Sequence, residues 1–108
     1  FNSGHHEIIR TLLTPYPESH KERMFGYPAF YASGRMFACV YGNGLGLKLP
    51  AEEVSALLKR PDFVPFRPHN RPPMREWVQL SRAWAEDYRH DLALFLLARD
   101  HVLATARP

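Results

Sequence analysis

Cysteine is nearly absent from this chain. Cys39 stands alone in 108 residues, so no disulfide can staple the fold from within, and a reducing compartment is implied. There is also no run of 18 apolar residues and no series of charged, apolar and small residues at the start. Neither a membrane span nor a secretory signal is expected, and the setting read from this is cytoplasmic and bacterial in type, with no membrane partner. Lysine is scarce: Arg outnumbers Lys 11 to 3, and the planar guanidinium favours bidentate recognition of carboxylate or phosphate, so clusters of Arg are the charges to follow. The histidines form no His-x-x-x-His or His-x-His pair, which leaves no zinc pattern and no metal or cofactor to expect. No internal repeat or low-complexity tract is visible.

What is present suits one globular domain. Hydrophobic residues make up 45% and charged residues 23%, a balance that excludes a disordered tail, and 108 residues leave no room for a second core. A net charge of +3 would assist contact with phosphate backbones without establishing it.

Phe1 to His6 begins without methionine, reads either as native sequence or as a disordered or added lead, and is set aside from functional argument. From His5 or His6 to Leu13, the apolar positions Ile8, Ile9, Leu12 and Leu13 follow helical spacing, and Pro15 with Pro17 ends the helix. Met24 to Pro50 then carries the organisation of the chain. Short runs rich in aromatic and β-branched residues predict strands at about Glu22 to Gly26, Ala29 to Ala32, Arg35 to Tyr41 and Leu45 to Leu49. They are punctuated by Ser33-Gly34 and Gly42-Asn43-Gly44, the residues that tight antiparallel turns require. On the third strand Phe37, Cys39 and Tyr41 alternate with Met36, Ala38 and Val40, so both faces are apolar and the strand is expected at the centre of a sheet.

Pro50 opens a short helix with Glu52-Glu53 in its first turn and Val54, Leu57 and Leu58 as its buried stripe. Phe63 to Arg67, interrupted by Pro65, can only be an edge or bulged strand. Met74 to Leu80 is the last predicted strand, after which Ser81 is expected to cap a helix from about Arg82 to Ala104 with a break near Asp87. The apolar stripe of that helix is Trp84, Tyr88, Leu92, Phe95, Leu96, Val102 and Leu103. The fold class is therefore α+β, an antiparallel β-meander sheet with helices packed mainly on one face. Aromatic residues left exposed on the other face would mark a surface for self-association.

The residues that could carry chemistry have simpler readings. Gly42-Asn43-Gly44-Leu45-Gly46 opens a strand, whereas a dinucleotide-binding glycine loop opens a helix. Glu86, Asp87, His90 and Asp91 fall on one turn of the last helix and read as a solvated face with local pairs more readily than as metal ligands. Cys39, between Ala38 and Val40, reads as a small buried apolar group without a base beside it. The sharpest cluster is basic: Lys59, Arg60, Arg67, Arg71 and Arg75 against Asp62 alone, with His69 among them. A Pro-rich loop bearing guanidinium groups beside Trp77 can receive phosphates or an acidic protein surface.

Several blocks resemble a known family. Met24-Phe25-Gly26, Gly34-Arg35-Met36-Phe37-Ala38, Leu47-Lys48 and Arg71-Pro72-Pro73-Met74 followed by Trp77-Val78 are similar, in that order, to the signature of the TfoX N-terminal domain family, over about Ile8 to Val102. Tyr27 departs from it where many relatives have a second glycine, which bears on the local turn. More distantly the chain resembles MmcQ/YjbR-type proteins. The resemblance implies a small bacterial α+β domain of the kind found in competence regulators, with no catalytic residues to carry over.

Residues and resemblance together lead us to expect a non-enzymatic regulatory or protein-interaction module with a protein partner, a homodimer over the sheet being its simplest form. The alternatives are a nucleic-acid-binding protein using the Arg67–Arg75 loop and a small-ligand-binding protein or enzyme. Candidate binding residues are Arg35, Lys48, Arg67, Arg71, Arg75 and Trp77.

Overall fold

A computed structural model of the chain describes residues 3–13, 20–24, 27–42, 44–68, 72 and 74–105. Their elements run in the order α1 (Ser3–Leu13), β1 (His20–Met24), β2 (Tyr27–Ala32), β3 (Arg35–Tyr41), β4 (Gly44–Lys48), α2 (Ala51–Leu57), β5 (Phe63–Pro65), β6 (Trp77–Ser81), a 3-10 helix (Ala85–Asp91) and α3 (Leu92–Thr105). Six strands form one antiparallel sheet in the order β1-β2-β3-β4-β6-β5. The first four are a meander; β6 then enters beside β4, and the three-residue β5 closes the edge.

Turn chemistry explains the meander. Ser33 and Gly34 have φ of 50° and 75°, both positive, so Ala32 pairs with Arg35 across a two-residue loop whose twist matches the strands. Gly42, with φ of 58°, begins the next loop, across which Tyr41 pairs with Gly44; Asn43 lies outside the described residues. β5 is blunt at the free edge because it is short and contains Pro65, which has no N–H to offer another strand.

Register divides the sheet into two faces. Phe30, Ala38, Leu47, Val78 and Pro65 form one cross-strand row, with Val40, Leu45, Leu80 and Phe63 in the next row on that face. Against them pack Ile8, Ile9 and Leu13 of α1, Val54 and Leu57 of α2, Tyr88, and Phe95, Ala98 and Val102 of α3, all buried in one core cluster. The helices thus lie mainly on one face, as the pattern predicts. A register shift at Phe30/Tyr31 leaves Phe37 as the extra residue of β3. Phe37 accordingly belongs to the same core cluster as Ala38 and Val40, and the simple alternation expected for β3 holds only beyond this bulge.

The opposite face carries Ala29, Cys39, Gly46, Gln79 and Val64 in one row. Here the chain leaving β5 turns back over the sheet. Phe66, 1% exposed, lies above Gly46 so closely that a Cβ on that glycine would stand 2.8 Å from the ring. The ring meets Tyr41 edge-on at 5.7 Å and Trp77 at 5.4 Å between centroids. This aromatic strip does for the second face what helices do for the first. Among the meander aromatics whose burial is described, Phe30 and Phe37 are buried and Tyr31 and Tyr41 half-buried, so none of these is an exposed surface.

The last third departs most from expectation. Residues 74–76 precede β6 instead of belonging to it, and Ser81 ends that strand in place of capping a helix. The long helix is divided: a 3-10 helix runs to Asp91 and only then does α3 begin. Trp84 precedes the 3-10 helix in extended conformation and is 73% exposed, so it is no part of the buried stripe. Leu58 follows α2 and is 39% exposed, also contrary to its place in the predicted stripe. At the start, α1 begins at Ser3, and His5 is buried at 4% exposure, so part of the segment set aside belongs to the fold.

A polar network fixes the 3-10 helix. Arg82 donates from Nε and Nη2 to the two carboxylate oxygens of Asp91, at 2.9 and 2.6 Å, and from Nη1 to Asp62 at 2.6 Å. The Arg82 backbone N–H donates to the Tyr88 hydroxyl at 3.4 Å, and that hydroxyl lies 3.3 Å from His5 Nδ1. The guanidinium thus joins Asp62 to Asp91, and through the Arg82 backbone and Tyr88 the network extends to His5 of α1. The hydrogen bonds to Asp91 are the first reason the Arg82 pKa is raised; burial raises that of Tyr88.

Candidate interaction groove between α2 and β6

The open concave feature of interest runs between α2 and the segment that leads into β6, with a volume of about 550 Å³. One wall is α2 and its end, with Glu52, Val54, Ser55 and Leu58; the other is Pro65, Met74, Arg75 and Trp77. Most of the lining is apolar, and each wall carries one formal charge, Glu52 on the helix and Arg75 opposite. Leu58 and Met74 are 39% and 37% exposed, which makes the rim apolar.

Local structure sets the walls. Pro50, at φ −53° and ψ 145°, starts α2, and the Val54 N–H bonds back to its carbonyl at 3.1 Å. The last turn tightens through Lys59 N–H to Ala56 and Arg60 N–H to Leu57, which turns the chain at Leu58 and leaves that side chain at the rim. On the other side the Trp77 N–H reaches the Met74 carbonyl at 3.2 Å, forming the turn that presents Met74 and Arg75. The Leu49 N–H donates to the Glu76 carbonyl at 2.9 Å and ties the two walls together at their base. Glu76 also meets His101 Nε2 of α3 at 2.8 Å. That bond chiefly, with Lys48 and Arg75 adding their charges, holds the Glu76 carboxyl below its usual range.

Of the residues expected to bind, the structure brings three together. Arg75 and Trp77 line the groove, and Lys48 pairs with Trp77 across β4 and β6. Arg35 is exposed at the start of β3 opposite Ala32, and Arg67 is exposed beyond Phe66; neither lines the groove. Arg71 and His69 lie outside the described residues, while Arg60 turns to Asp62 at 3.5 Å and stacks over Phe63 at 5.0 Å. Sequence reasoning missed the helix wall. Its available signal was Leu58 beside Lys59-Arg60, an apolar residue at the end of a helix whose inner stripe is already complete with Val54 and Leu57.

Two of the acidic residues of the last third are held in ion pairs, Asp91 with Arg82 and Glu86 with Arg89 at 2.7 Å. Among the described residues no three His, Cys, Asp or Glu side chains gather as a metal cluster, and no helix is long and apolar enough to cross a membrane. Cys39 is 1% exposed, and burial pushes its thiol from 9.0 up to about 11. Between those values the unfolded chain loses a proton that the folded chain keeps, so stability should fall as pH rises from about 9 to 11. In alkaline denaturation, Cys39→Ala should flatten that slope; an unchanged slope would contradict the shift.

Comparison with curated proteins and with solved structures returned no match. A family model does match, over residues 11–101 of the 108, and the two motif blocks around β3 and at the entry to β6 fall inside that span. With five sixths of the chain covered, its α+β architecture has a named kind: the chain belongs to the TfoX N-terminal domain family, which supports a regulatory type of domain in general.

Proposed function

We propose that the domain is a non-enzymatic regulatory module that acts by binding another protein in the groove between α2 and β6. The observation that carries this reading is the combination of an open apolar lining with exposed Leu58 and Met74 at its rim. Apolar rims of this kind are costly to leave in water and are usual where a partner docks. Leu58→Glu places a charge on the rim at a position already outside the core, so the fold should survive while binding is lost. In native capture experiments the wild-type chain should retain a partner that Leu58→Glu does not; equal retention by both would contradict the reading.

A second reading rests on Lys48 and Arg75 beside Trp77, cations next to an aromatic face that suits a nucleic-acid backbone and base. Glu52 and Glu76 lie in the same region and oppose it. Light scattering with duplex DNA separates the two: phosphate binding must weaken steeply as salt rises, and an apolar groove must not.

A further inference from the structure

We propose that the occupant of the groove is a peptide segment with a large apolar side chain between a basic and an acidic residue, read in one direction by Glu52 and Arg75. This rests on the groove being the binding surface. It adds that the groove is polar along its width: Glu52 stands on the α2 wall and Arg75 on the opposite wall, with apolar Val54, Met74 and Trp77 completing the lining. Among the described residues neither Glu52 nor Arg75 is held in a salt bridge. The nearby Glu76 carboxylate, which Lys48 and Arg75 both act on, is bonded to His101 of α3. A nucleic acid would meet repulsion at Glu52, and a purely apolar segment would leave both charges unused. A dipolar peptide satisfies both and buries its anchor against Trp77, the arrangement that gives specificity of orientation.

The chain has two tryptophans, and Trp84, exposed and outside the groove, can be replaced by Phe so that Trp77 reports alone. The probes are short blocked peptides centred on Leu-Phe, one with Lys before and Glu after, one with the charges exchanged, and one with both replaced by Ser. The Trp84→Phe protein should bind one charged order about three- to tenfold more tightly than the other, the range that two partly exposed ion pairs supply. The double exchange Glu52→Arg with Arg75→Glu should invert that preference, a result that altered folding or simple apolar binding cannot produce. Equal binding of all three peptides would overturn this proposal while leaving the groove as a docking surface. Binding of none would overturn it as well, and with unchanged capture by Leu58→Glu the broader reading would also fall. Stronger perturbation of Trp77 by duplex DNA, or by self-association of the protein without peptide, would overturn it in favour of those occupants.

Discussion

Replacing Phe66 by alanine is expected to destabilise the domain by about 3–5 kcal/mol, which for a chain of this size lowers the melting temperature by more than about 12 °C. The magnitude follows from position. Phe66 is 1% exposed, yet it belongs to no helix or strand; it is the loop residue that covers the second face of the sheet over Gly46. Its loss removes the ring between Tyr41 and Trp77 and exposes the glycine backbone beneath. The reciprocal change is smaller: Gly46→Ala forces a methyl into 2.8 Å of the ring, and overpacking of this kind costs about 1–3 kcal/mol. Combining Gly46→Ala with Phe66→Leu should cost less than the two changes summed, because the smaller side chain vacates the space the methyl needs. Strict additivity in denaturant titrations would mean that Phe66 does not sit on Gly46.

The second large effect concerns Asp91. Its 5% exposed carboxylate receives two hydrogen bonds from Arg82, so Asp91→Ala strands a guanidinium that retains only Asp62. Removing one member of a fully buried pair costs about 3–5 kcal/mol. Arg82 keeps 23% of its side chain exposed and a second carboxylate, and water can reach it, so about 2–3 kcal/mol is expected here. The double change Arg82→Met with Asp91→Leu should recover most of that loss, since well-packed apolar replacements of a buried pair are often neutral. A loss below about 0.5 kcal/mol for Asp91→Ala would show that the network does not anchor the 3-10 helix to the rest of the chain.

These two sites also mark where reading the sequence succeeds and where it stops. The meander is legible because its turns are local: Ser33-Gly34 and Gly42 supply the positive φ angles within a few residues of the strands they join. The Pro65 edge strand and the Pro50 helix start are legible for the same reason. Phe66 is not, since nothing in Pro65-Phe66-Arg67 states that the chain will fold back over Gly46, twenty residues earlier. The 3-10 helix is hidden likewise, because Asp62 meets Arg82 and His5 meets Tyr88 only in three dimensions, and that tertiary network overrides the helical spacing of Trp84, Tyr88 and Leu92. Half of the groove was visible as Arg75 and Trp77; the α2 wall was not, because Leu58 continues the helix's apolar stripe in sequence and leaves it in space.

The central claim is that the domain works through the groove and not through the second sheet face or the Arg67 loop. Amide chemical-shift mapping by NMR, with the dipolar peptide that binds more tightly, tests it most directly. Shifts should concentrate in residues 51–58 and 74–77. The largest shifts falling instead on β2, on β3 or around Arg67, with residues 51–58 unmoved, would contradict it.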